Sequence, residues 1–165
     1  MSGGKNTFTI KFDEAPAKRL FAGLVQASEE AVRPAAQAGA QVLYDEVKRN
    51  VGKLGKKTGN LAAAIYQVYS KDHSDNARAE YHVSWNLRKA PHGHLLEYGY
   101  VQRYARYMDA NGNWHTNKKK PLPQPRHVAA HPFIRPAAAK YPEAWAAIEA
   151  EYLRRVTEGP LGARR

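Results

Sequence analysis

The side chains in this sequence that could do chemistry are seven histidines, fifteen acids and a few hydroxyls, and their spacing argues against most reactions. His92-x-His94 and His127-x3-His131 could each offer two imidazoles to a metal ion. A metal site also needs a third ligand and an orienting partner, and Glu97 is the only carboxylate close in sequence to either pair. Local backbone or surface roles are the commoner fate of such histidines. There is no cysteine, hence no thiolate nucleophile, disulfide framework or cysteine zinc site. The serines (Ser2, Ser28, Ser70, Ser74 and Ser84) include none in a GxSxG elbow. A nuclease would want paired acids around a divalent ion, whereas Asp13, Glu14, Glu29, Glu30, Asp45 and Glu46 read as helical or turn positions. The loop Gly52-Lys53-Leu54-Gly55-Lys56-Lys57 resembles a phosphate cradle only superficially, because its glycines and lysines miss the GxxxxGK[ST] spacing. Neither an enzyme nor a bound metal or cofactor is expected.

Basic and aromatic residues carry more. Tyr98, Tyr100, Tyr104, Tyr107 and Trp114 interleave with Arg103 and Arg106 and are followed by Lys118, Lys119 and Lys120; Lys53, Lys56 and Lys57 form a second basic group. Such a mixture can stack and neutralise nucleic acid, fill a thin core, or form a protein interface, where aromatics and arginine are enriched. The interface reading ranks first, the core reading second and sequence-independent nucleic-acid binding third.

The elements that must position these residues follow from periodicity. Residues 7–12 alternate, placing Phe8, Ile10 and Phe12 on one face of a strand. Asp13 and Pro16 then open a helix whose apolar stripe (Leu20, Leu24, Ala27, Ala31, Ala35, Ala38, Val42) runs to about residue 50, either continuous and kinked at Pro34 or divided there. Its Ala31, Ala35, Ala38 and Gly39 permit close packing against a neighbour. Thr58 caps a short turn at 59–64. Residues 65–70 and 78–86 form an antiparallel hairpin, the second strand placing Ala79, Tyr81, Val83 and Trp85 on one face. Residues 94–98 make one helical turn ended by Gly99. Residues 100–108 and 114–116 flank an Asn111-Gly112 hairpin signal. The following KKKPLPQP, residues 118–125, is expected as a loop or extended arm because its prolines exclude a central strand or helix. A last helix begins near Pro136 with a stripe of Tyr141, Trp145, Ile148, Tyr152 and Val156, and Gly159-Pro160 ends it.

Composition bounds the rest. The 165 residues suit a single domain, with 100–126 as an inserted hairpin and Lys/Pro-rich arm and 159–165 as a frayed tail. Only 29 residues are Leu, Ile, Val or Phe, so the core is thin and stability is expected to draw on neighbours. The formal charge of +11 favours an acidic protein surface or a polyanion. No apolar run approaches the roughly 20 residues of a membrane span, and the N-terminus lacks the apolar core of a secretory signal. The expected fold is α+β: a small, mostly antiparallel sheet packed against a long Ala-rich helix and a C-terminal helix, with an extended hairpin insertion.

Three phrases in order then become recognisable: Thr58-Gly59-Asn60-Leu61, Leu95-Leu96-Glu97-Tyr98-Gly99, and His131-Pro132-Phe133-Ile134-Arg135-Pro136-Ala137. Over residues 17–151 the chain resembles the head–tail joining and tail-completion proteins of long-tailed bacteriophages, including the minor tail protein Z class. The resemblance implies a small, non-enzymatic α+β virion protein at the neck or upper tail end. It further implies a homo-oligomeric ring, typically six-fold, between the head connector and the tail terminator or tail tube, assembled in the host cytoplasm; the basic residues would meet acidic surfaces on adjoining rings, or passing DNA. The phrases have structural roles on this reading. Thr58 and Gly59 cap, Glu97 and Gly99 end a turn, His131-Pro132-Phe133 is an extended approach, Phe133 anchors the start of the last helix and Pro136 occupies its first turn, with Leu61 and Arg135 as further structural residues of the phrases. The long insertion between Tyr100 and Arg126 departs from the family pattern, so Tyr98, Tyr100, Arg103, Tyr104, Arg106, Tyr107, Trp114 and Lys118 to Lys120 are the candidate partner interface. The alternative is a small basic protein binding nucleic acid through phosphate contacts.

Overall fold

The computed structural model describes residues 11, 13–55, 59–112 and 114–158. The expected strand at 7–12 apart from Lys11, the cap at Thr58, the lysines at 56 and 57 and the tail at 159–165 lie outside the described residues.

Helix α1 spans Ala15–Lys53 without a break. Asp13 Oδ1 accepts the Ala15 N–H at 2.9 Å, and Pro16 occupies the first turn, where its missing N–H costs nothing. Pro34 deletes one i→i−4 bond, yet the helix continues through it, because Ala31 and Ala35 on the same face are fully buried against neighbouring elements. A short helix α2, Asn60–Ala64, follows Gly59 and leads into the hairpin of β1 (Ile65–Ser70) and β2 (Glu80–Trp85), paired antiparallel from Ile65↔Trp85 to Ser70↔Glu80. This hairpin lies on α1: the Arg33 guanidinium sits 4.4 Å over the Tyr69 ring, and Tyr69 meets Tyr81 at 5.4 Å. Helix α3 (Gly93–Tyr98), strands β3 (Tyr100–Met108) and β4 (Trp114–Val128), a 3-10 turn (Arg135–Lys140) and helix α4 (Tyr141–Glu158) complete the order.

The architecture is α+β, with its antiparallel strands divided between two separate two-stranded ribbons. The first ribbon and the C-terminal half of α1 enclose a core of Val47, Val51, Leu61, Ala64, Ile65, Ala90, Phe133 and Ala137. Phe133 is its keystone: it is 0% exposed, its ring meets Trp85 edge-on at 5.5 Å, and its carbonyl accepts from the buried Asn50 amide at 3.2 Å. The small core agrees with the scarcity of large aliphatics.

Two expectations change. Residues 118–125 do not form an unpaired arm; they belong to β4, whose register against β3 shifts at Gln102/Tyr104 and Tyr104/Ala105. Pairing advances two residues along β3 and five along β4 between Gln102↔Arg126 and Tyr104↔Pro121. Both strands of a two-stranded ribbon are edges, which tolerates Pro121 opposite Tyr104, and the irregularity absorbs Pro123 and Pro125, which have no ladder partner. The stripe on α4 is also displaced. Tyr141 and Trp145 are 55% and 67% exposed, while Ala144 is buried and Ile148 and Tyr152 are half-buried. The cause is the small-residue surface of α1, where a methyl built on Gly39 would meet Ile148 Cγ1 at 2.5 Å and the Ala144 carbonyl at 3.1 Å. At so close a crossing the face of α4 turned to α1 carries Ala144 and Ile148, and Tyr141 and Trp145 are turned outward. A hydrogen bond between the Ser28 and Tyr152 hydroxyls ties the far ends of the two helices.

Gly39→Leu should therefore lower stability by about 1–3 kcal/mol through overpacking against α4, despite leucine's better helix propensity. Denaturant unfolding checks this, and a neutral effect would contradict the close crossing.

Candidate functional site

The ribbon β3–β4 is the candidate site, and its geometry begins at its base. The chain leaves the body at Gly99 and returns at residues 128–131. Gly99 adopts a φ of 71°, and a methyl there would meet the Val128 carbonyl oxygen at 2.7 Å and the Ala130 nitrogen at 2.9 Å. Glycine is required twice over, by conformation and by close backbone approach. Beside it the His131 N–H donates to the Leu96 carbonyl at 2.7 Å.

Glu97 fastens this base. Its side chain projects from α3 into the body and is 1% exposed. Oε2 accepts the N–H groups of Phe133 at 2.7 Å and Ile134 at 3.0 Å; Oε1 accepts the Arg135 N–H at 3.0 Å and Arg135 Nε at 3.1 Å. A second guanidinium nitrogen of Arg135 donates to the Glu97 carbonyl. The carboxylate thus caps the start of the 3-10 turn and α4 from a distant segment, supplying the acceptor that the first N–H groups of a helix lack. Burial alone would push its pKa up, but the hydrogen bonds from Ile134, Phe133 and Arg135 outweigh it and hold the group below its ordinary value of 4.5. From sequence, Glu97 and Gly99 looked like the end of a turn; the reach of Glu97 to residues 133–135 was missed. The available signal was an acid inside an otherwise apolar Leu-Leu-Glu-Tyr-Gly turn.

Beyond this base the ribbon contacts mainly itself, and the pairing of β3 with β4 is its dominant contact. The structure brings Tyr100, Arg106 and Trp114 together on one face: Arg106 Nη1 donates to the Tyr100 hydroxyl at 2.9 Å, and its guanidinium lies 6.0 Å from the centroids of both rings. Tyr107 stacks on its cross-strand partner His115 at 5.5 Å on the other face. Tyr98 is 67% exposed at the base, with the Arg135 guanidinium 5.1 Å over its ring. Arg103, Tyr104, Lys118, Lys119 and Lys120 are exposed and spread along the ribbon. Tyr107, Thr116, Asn117, Lys118 and Lys119 line an open groove of about 490 Å³. At the tip, Asp109 Oδ1 accepts the Asn111 N–H at 2.9 Å and Asp109 Oδ2 meets His115 Nε2 at 2.8 Å. The Asn111-Gly112 turn expected from sequence is present, with Gly112 at a φ of 82°. Of the second basic group, Lys53 is exposed at the end of α1.

Of the family-phrase residues, Leu61, Glu97 and Phe133 are buried, Pro136 lies in the first turn of the 3-10 helix, and His131 and Pro132 lie outside any helix or strand just before Phe133. Gly59 caps α2 with a φ of 78°.

A long small-residue helix, a two-stranded ribbon packed on it and a clamped turn define a small α+β protein. The chain belongs to the HK97 gp10-like family: the model described as "Bacteriophage HK97-gp10, putative tail-component" matches residues 17–99. The matched segment ends at Gly99, where the ribbon begins. No curated protein and no solved structure matches the chain. Among the described residues, no helix is long and apolar enough to cross a membrane.

Two substitutions test the clamp. Glu97→Ala strips the N–H groups of residues 133–135 of their acceptor and should destabilise the fold by about 1–3 kcal/mol for the buried Phe133 N–H alone. Glu97→Gln keeps the shape and removes the titration. Because the native pKa is lowered, the carboxylate's contribution is complete above its ordinary value of 4.5 and is lost as pH falls through the native value. Wild-type stability should fall more steeply than that of Glu97→Gln below about pH 4.5, and parallel pH profiles from denaturant melts would contradict the assignment.

Proposed function

We propose that this tail component completes the tail or joins it to the head, as one domain whose β3–β4 ribbon reaches into neighbouring subunits. The observation that carries this reading is the ribbon itself, clamped at its base, with no further strand paired to either edge among the described residues and rich in exposed aromatic and cationic groups. Unpaired strand edges are templates for pairing with another chain, and tyrosine, tryptophan and arginine are the residues that anchor interfaces. A flexible arm would lose much of that binding energy in ordering; a ribbon fixed by Glu97 and Gly99 loses less.

Copies of the chain would form a closed ring at the neck, between the head connector and the tail terminator or tube, in the virion. The six cations of the ribbon, Arg103, Arg106, Lys118, Lys119, Lys120 and Arg126, against the single acid Asp109, suit an acidic surface on the adjoining ring. The role is assembly by surface complementarity, without catalysis.

The same charge imbalance favours a second reading, in which the ribbon grips phosphates of DNA passing through the tail.

Replacing residues 103–125 by an Asn-Gly turn, which closes the ribbon just beyond the Gln102↔Arg126 pair, should leave body stability within about 0.5 kcal/mol, as for changes remote from the core. Particles carrying this variant should lack joined tails. Full infectivity would overturn the interface role of the ribbon. On the phosphate reading, duplex DNA binding should fall with salt by a log–log slope near −0.9 per phosphate contacted; no binding at about 0.1 M salt would remove that reading.

A further inference from the structure

The outer face of the first ribbon carries a group of side chains with no part in the clamp or the arm. Glu80 and His82 stand two residues apart on β2, so they share a face. The β1–β2 loop folds back so that His73 joins them. One donor atom from each of His73, Glu80 and His82 lies within 4.8 Å of the others, and the three side chains are half-buried or exposed and open to solvent. The histidine pairs singled out by spacing, His92/His94 and His127/His131, form no such group with an acid among the described residues. Strand register and loop closure made this trio, and neither shows in a linear spacing.

The geometry points to a divalent transition-metal site, of the Zn2+ class, formed by His73, Glu80 and His82. Two imidazoles and one carboxylate are the donor types that borderline metals such as Zn2+ select, whereas Mg2+ and Ca2+ prefer oxygen alone. Metal–ligand distances of about 2.0–2.2 Å in a tetrahedron place donors about 3.3–3.6 Å apart. His82 Nε2 and Glu80 Oε1 are already 3.3 Å apart. Small side-chain rotations bring the remaining donor into range.

The surroundings orient the site as metal sites require. The Ser70 hydroxyl meets His73 Nδ1 at 2.9 Å, which leaves Nε2 as the nitrogen not already engaged. Ser74 holds the loop from both sides, its hydroxyl donating to the Ser70 carbonyl at 2.6 Å and accepting the Glu80 N–H at 2.9 Å. Asp75 N–H closes the turn on the Arg78 carbonyl at 2.8 Å. With three protein ligands, the fourth position is open to water or to a donor from a neighbouring chain. A bound ion ties the loop to β2 and stiffens the hairpin end that faces α1, where Asn76 reaches Glu29 at 3.5 Å.

The test is calorimetric titration of the untagged full-length chain with ZnCl2, beside imidazole NMR and thermal melts in Zn2+ or Mg2+. The expected result is one Zn2+ per chain, a Tm raised by Zn2+ but not by Mg2+, and shifted ring signals of His73 and His82 with those of His115 and His127 unmoved. His73→Ala and His82→Ala should each weaken Zn2+ binding about tenfold or more, with an unchanged metal-free Tm. Absence of Zn2+ binding would overturn the site. So would binding unaffected by either substitution, or shifts confined to other histidines.

Discussion

One buried carboxylate holds the two halves of this protein in register. Glu97 leaves α3 on the N-terminal side of the ribbon and accepts from Phe133, Ile134 and Arg135 on the C-terminal side, 36 to 38 residues away. The interaction does three things together. It supplies acceptors for the first N–H groups of the C-terminal helical segment, it seats Phe133 against Trp85 in the core, and it pins both strands of the ribbon where they leave the body. A buried charge is costly unless its hydrogen-bonding capacity is filled, and here four donors fill it. The lowered pKa is the electrostatic sign that hydrogen bonding outweighs desolvation.

The body around this clamp is economical. The chain has few large aliphatics, and packs alanine and glycine of α1 against alanine and isoleucine of α4 instead of building a deep core. That choice turns Tyr141 and Trp145 outward and, with Phe21 and Val25 on α1, leaves large apolar side chains exposed. Exposed large apolar side chains suit a chain that assembles with partners, and membership of a family of phage tail components fits that.

The local elements were legible in the sequence wherever a period or a turn signal determined them. The α1 stripe, the alternation of β2, the Asn111-Gly112 turn and the α+β class all followed from spacing. What escaped notice depended on contacts between distant segments. The reach of Glu97 to residues 133–135 depends on how α3 is oriented. The buried face of α4 is set by how closely α1 approaches, which a helical stripe does not encode. The prolines of β4 read as breakers because their bulged, edge-strand setting appears only once β3 is beside them. His73 and His82 lie nine residues apart and meet through hairpin register. Of the candidate interface, the sequence supplied the residue types, and the structure supplied the ribbon that displays them.

On the proposed function, the ribbon is the surface by which this chain engages its neighbours in the particle. Cross-linking mass spectrometry of purified particles tests it most directly, through the amines of Lys118, Lys119 and Lys120. Cross-links from these lysines to a second copy of the chain or to an adjoining tail or connector protein are expected. Finding the chain in particles with these lysines linked only within their own subunit, or finding no chain in particles at all, would contradict it.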